Sequence, residues 1–121
     1  MKILAIVLLL ASQSYSTSNK PLGFEGIWHS PEMDNMKIKI YQASDDLWYG
    51  KIIESDTRGD IGKLMLIKMS YNDLDKSLNG EAQRPDSFFS VHAKLQLKSD
   101  DKLKLTVSKF MMGRSYMLVR E

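Results

Sequence analysis

Cysteine is absent from the 121 residues. No disulfide can staple the fold, even in an oxidising compartment, and no thiolate metal centre can form. Histidine is nearly absent. His29 and His92 stand alone, without carboxylates at ligand spacing, and a catalytic zinc needs three protein ligands. No serine sits in a nucleophile elbow. The chain is therefore not expected to be an enzyme, and no metal or other cofactor is expected. An excess of one charge is lacking too. Seventeen basic and fifteen acidic residues give a net charge of +2, and they are interspersed. Nucleic-acid binding needs a basic stripe that releases counterions from phosphates, so nucleic acid is not an expected partner. Long apolar runs are also missing. The one run, residues 3–11, is about nine residues against the roughly 20 of a membrane-spanning helix.

That run has a different meaning at this position. A short positive start, Met1-Lys2, precedes it, and Ser14-Tyr15-Ser16 then places small residues where a signal peptidase reads. The expectation is a signal peptide over residues 1–16, a mature chain beginning near Thr17, and a single domain over 17–121. Loss of Lys2 leaves that domain at +1. Residues 17–22 read as a flexible leader. A domain of this length can bury about two thirds of its unfolded surface, enough to hold together without staples.

Period-two alternation dominates the rest, as expected of strands with one buried face. Met36-Lys37-Ile38-Lys39-Ile40, Phe89-Ser90-Val91-His92-Ala93-Lys94-Leu95-Gln96-Leu97 and Leu103-Lys104-Leu105-Thr106-Val107 alternate cleanly. Turn chemistry falls between such runs at Ser44-Asp45-Asp46, Arg58-Gly59-Asp60, Asn79-Gly80, Pro85-Asp86 and Ser99-Asp100-Asp101. The spacing predicts strands near 25–30, 35–43, 46–55, 62–70, 76–83, 87–98, 102–109 and 113–120. Residues 63–69 are apolar without clean alternation, and residues 74–78 also suit a short helical turn. Eight short antiparallel strands in sequence order predict an all-β, up-and-down barrel, because closure removes both unpaired edges. A barrel of about eight strands is either filled by side chains or holds one small ligand.

Gly26-Ile27-Trp28 at the first strand and Arg120 on the last resemble the calycin pattern of lipocalins, fatty-acid-binding proteins and avidins. The glycine gives the chain a tight entry, the indole plugs an end, and the guanidinium lies across it to tie the last strand to the first. Arg114 competes with Arg120 for that part. Trp48-Tyr49-Gly50-Lys51-Ile52, Asn79-Gly80, Pro85, Ala93-Lys94-Leu95-Gln96-Leu97, Lys102-Leu103-Lys104-Leu105 and Gly113-Arg114-Ser115 follow in order. The series resembles the domain of unknown function 2147 family of exported bacterial proteins, over nearly all of residues 17–121. The resemblance implies a lipocalin-like barrel, periplasmic or secreted, and carries no activity with it. This chain departs from the pattern at Leu118, where the family has Trp. It also has a shorter middle segment, 63–69, and lacks the cysteine pair of many members.

Ligand-binding candidates come from strand phase. Trp48 shares a face with Gly50 and Ile52, Phe89 with Val91 and Ala93, and Tyr116 with Arg114 and Leu118. Ordinary core filling accounts for this set. An aromatic-lined pocket for a small apolar or amphipathic ligand, with Arg114 at its charged head, is the sharper alternative. Tyr41, one residue off its strand's aliphatic face, reads as a rim residue. Gly26, Trp28 and Arg120 are the closure set. Methionine is over-represented, with eight in the chain, notably Met33, Met36, Met111 and Met112. Thioethers are soft ligands that suit Cu(I), but they are first of all adaptable core fillers or flexible pocket linings. Two functions stay open: a carrier with a hollow barrel, or an envelope interaction protein with a filled one and an unknown protein partner.

Overall fold

The computed structural model describes residues 23–84 and 89–121. The expected signal peptide, its cleavage near Thr17 and the turn at Pro85-Asp86 lie outside them. Eight strands are present: β1 (Gly26–Ser30), β2 (Met36–Gln42), β3 (Trp48–Glu54), β4 (Leu64–Asn72), β5 (Ser77–Gln83), β6 (Ser90–Ser99), β7 (Lys102–Lys109) and β8 (Met112–Arg120). Each pairs antiparallel with the next, and β8 returns to β1, so the sheet is a closed up-and-down barrel of lipocalin-like form. A single 3-10 turn, Arg58–Asp60, interrupts the β3–β4 loop. No helix among the described residues is long and apolar enough to cross a membrane.

Alternation sets the inside. Trp28, Ile38, Ile40, Ile52, Ala93, Leu95, Leu103, Leu105 and Leu118 are all buried, and each is flanked along its strand by more exposed neighbours. His29 and His92 lie on outer faces, as alternation requires. Tyr41 is on an outer face as well, where its ring stacks on Tyr49 with centroids 6.1 Å apart.

Strand β4 is where alternation fails, and the geometry supplies the reason. Met65 and Leu66 are buried in succession, Lys68 adopts φ 51°, and the register with β5 shifts between Ile67 and Ser70. This bulge presses on Gly80, where a Cβ would sit 2.7 Å from the Lys68 carbonyl oxygen and the Met69 sulfur. Only glycine fits there without displacing backbone. Residues 74–78 form no helical turn. They make the β4–β5 hairpin, with Leu74 at its tip and Ser77 already paired to Asn72. An Asx turn holds that tip, the Leu74 amide donating to Asn72 Oδ1 at 2.9 Å.

Candidate functional site

The two ends of the barrel differ. At one end lie the β2–β3, β4–β5 and β6–β7 hairpins and the start of β1. Here the interior is full. Phe24, just upstream of β1, is buried and meets Trp48 and Tyr71 edge-on, with centroids 6.4 Å apart in both cases. The Trp28 indole N–H donates to the Phe24 carbonyl at 3.0 Å, fixing the segment that precedes β1 to the indole that plugs this end.

Closure is concentrated at the same end. Among the described residues, β1 meets β8 in two register pairs, Trp28 with Arg120 and His29 with Val119. The Arg120 side chain extends this short seam. Its guanidinium lies 4.2 Å from the Trp28 ring centroid, and its N–H groups donate to the carbonyls of Asp100 at 2.7 Å, Glu25 at 2.9 Å and Gly23. Gly26, at φ 133°, leaves room for it, since a Cβ there would stand 2.8 Å from Arg120 Nη1. Arg114 is elsewhere, 5.0 Å from the centroid of its own strand neighbour Tyr116. The two arginines that the sequence left as rivals thus occupy different sites.

The opposite end carries the β1–β2, β3–β4 and β7–β8 loops with Arg84 and Phe89 beside them, and among the described residues it is hollow. Burial fades toward it along adjacent strands. On β7 it runs from buried Leu103 and Leu105 to half-buried Val107, and on β8 from buried Leu118 through half-buried Tyr116 to exposed Arg114. The space left is a cavity of about 580 Å³, within the range of small-molecule sites. Its walls are Met36, Met65, Ala82, Val91, Leu105 and Val107, with Met33, Phe89 and Tyr116 nearer the rim. The rim carries charge of both signs: Glu32, Asp34 and Asp60 on the β1–β2 and β3–β4 loops, Arg84 and Arg114 across from them. The acidic side is pinned. Asn35 Nδ2 donates to Asp56 Oδ2 at 3.1 Å, the Asp56 amide donates to the Asp34 carbonyl, and Glu32 Oε1 accepts the Met117 amide at 3.1 Å.

Of the four ligand-binding candidates, Phe89, Arg114 and Tyr116 border this cavity and Trp48 does not. Strand phase correctly turns Trp48 inward, but phase carries no information about depth, and Trp48 lies at the filled end against Phe24. Phe89 also departs from expectation. Strand β6 begins one residue later, at Ser90, so the alternation of that strand does not bind Phe89, and its ring is 70% exposed at the rim. The methionines separate by role. Met33 and Met36 join Met65 in the cavity, while Met111 and Met112 lie outside it on the β7–β8 hairpin. Sequence reasoning passed over Phe24 and Met65. Phe24 precedes the alternating run, and Met65 sits in the segment whose period the bulge disrupts.

Among the described residues no group of three or more His, Asp or Glu side chains is placed to hold a metal ion. No family model, no curated protein and no solved structure matches the chain.

Proposed function

We propose that this protein is a non-catalytic binding module for a small apolar or amphipathic molecule, exported to a bacterial envelope. One observation carries the reading: the barrel is packed solid around Phe24, Trp28 and Trp48 but opens into an apolar cavity at its other end. A barrel whose only task was surface recognition would gain stability from filling that end, since each buried methylene contributes about 0.8 kcal/mol. Instead the lining is built from thioethers and small aliphatics. Met33, Met36 and Met65 give a soft wall that adapts to irregular apolar shapes. A ligand would place its tail there and its polar head at the charged rim beside Arg114 and Tyr116. The resemblance to the exported barrel family and the signal-like start support the envelope location.

The test follows the geometry. Neither tryptophan borders the cavity, so their native emission is a poor reporter. A Tyr116→Trp variant puts a fluorophore on the cavity wall. Titration with single-chain fatty acids, lysophospholipids and isoprenoid alcohols should shift its emission and raise Tm by linkage. Native mass spectrometry of protein taken from its host should show a co-purified mass. Val107→Phe, which projects a ring into the cavity and narrows it, should weaken both signals while leaving the barrel folded. A broad panel that moves neither emission nor Tm, together with a bare protein mass, would overturn the carrier reading.

A further inference from the structure

The hairpin tips of this barrel are not alike. At the filled end they are acidic, with Asp45 and Asp46, Asp73 and Asp75, and Asp100 and Asp101 outnumbering Lys76, Lys98 and Lys102 close by. At the cavity end the β7–β8 tip is Phe110-Met111. Phe110 is 94% and Met111 100% exposed, and the exposed Met112 and Phe89 stand near them. Lys109 binds this corner together, its ammonium 4.7 Å from the Phe89 ring centroid and 5.8 Å from that of Phe110. Arg84 and Arg114 lie on the same side of the mouth, while the carboxylates Glu32, Asp34, Asp56 and Asp60, with Arg58 and Lys63 among them, occupy the other loops.

Phe110 is doubly out of place as a structural residue. Its φ is 58°, in the left-handed region that hairpin turns normally give to glycine or asparagine. Its ring gains almost no burial in return. A side chain that costs backbone strain and meets only the Lys109 ammonium of its own chain, its ring otherwise in the open, points to a contact outside it.

We propose that the Phe110-Met111 tip inserts into the interface of an anionic phospholipid bilayer, docking the barrel mouth-first. Aromatic and thioether side chains enter the boundary between headgroups and acyl chains, and Lys109 and Arg114 remain at the level of the phosphates, their apolar stems submerged. The acidic hairpins at the far end are repelled by the same surface, so the field of the molecule sets the orientation before contact. Docked in this way, the cavity mouth faces the lipid. The proposal deepens the carrier reading by naming where an amphipathic ligand enters, and the docking itself stands on the tip alone.

The experiment uses the exported protein, wild type and variants in the same form, floated with vesicles of pure phosphatidylcholine or with one quarter phosphatidylglycerol. Wild type should bind the anionic vesicles at least about tenfold more strongly, and salt should weaken the binding. Phe110→Gly should reduce it by about tenfold or more, while Tm holds or rises because glycine accepts the turn's φ. A Phe110→Trp variant should blue-shift on anionic vesicles only. Wild type that fails to float, or Phe110→Gly that floats equally well, overturns the proposal. So does a wild type that is dimeric without vesicles and becomes monomeric on Phe110→Gly, since the tip is then a contact between copies. The carrier reading is separated by Val107→Phe, which should bind ligand more weakly and float as wild type does.

Discussion

Removing the Arg120 side chain should open the barrel at its seam. In Arg120→Ala three carbonyls lose a charged donor and the Trp28 ring loses a cation 4.2 Å away. A hydrogen bond from a charged group is worth about 1.5–3 kcal/mol, and an exposed cation–π contact about 0.5–1 kcal/mol. These values do not sum here, because water reaches the freed carbonyls at this half-exposed position, and about 2–4 kcal/mol in total is the expected loss. In a domain of about 100 residues that lowers Tm by roughly 10–25 °C. Arg120→Lys should restore less than half, since one ammonium cannot reach three carbonyls in a planar fork. Trp28→Ala should cost about 3–5 kcal/mol as a buried aromatic truncation. The informative quantity is the cycle: the double variant should fall short of the sum by about 1–2 kcal/mol. Urea unfolding of the four proteins measures it. Hydrogen exchange of the Glu121 amide, bonded to the Ile27 carbonyl at 3.0 Å, reports whether the seam opens first. Additivity within about 0.5 kcal/mol would refute the claim that Arg120 and Trp28 act as one unit.

Two further outcomes follow from the same geometry. Gly80→Ala should destabilise by more than about 1 kcal/mol, because its Cβ meets the carbonyl oxygens of the β4 bulge at 2.7 and 2.8 Å and backbone must move; a wild-type unfolding midpoint would show that the bulge is soft. The Asp75 carboxyl is held below its ordinary 3.8 by hydrogen bonds from Lys94, the larger effect, and Ser77. A depressed carboxyl stabilises the fold in full above its unfolded pKa, and that contribution is lost as pH falls through the folded value. Asp75→Asn should therefore flatten the stability profile below pH about 4; an unchanged slope in acid urea titrations would rule the pair out as a contributor.

The barrel was legible in the sequence because its strands are two-faced. Residues 36–40, 91–97 and 103–107 each state their inner face by alternation, and the acidic turns between them state where they end. Strand β4 was legible as a strand, within two residues of its bounds, but its inner face was not, because a bulge puts Met65 and Leu66 on the inside in succession and no fixed period describes that. Strand phase turned Trp48 and Tyr116 toward the same interior, yet one lies in solid core and the other on a cavity wall. Which of these a position becomes depends on how many large side chains arrive at that depth from the other strands. Phe24 decided it at one end, from outside any strand. At the other end Ala82, Val91 and Val107 are too small to meet across the barrel, a property of three separate strands that no single segment displays.

The seam at Arg120 also bears on the order of events in folding. The guanidinium binds Gly23 and Glu25, 97 and 95 residues away along the chain. Hairpins between consecutive strands can form as the chain emerges, but the ring cannot shut before residue 120 is made. Such distant closure makes folding slow relative to local pairing. The barrel thus carries its latch on its eighth strand, and until residue 120 has emerged the seven strands before it remain an open, unfinished sheet.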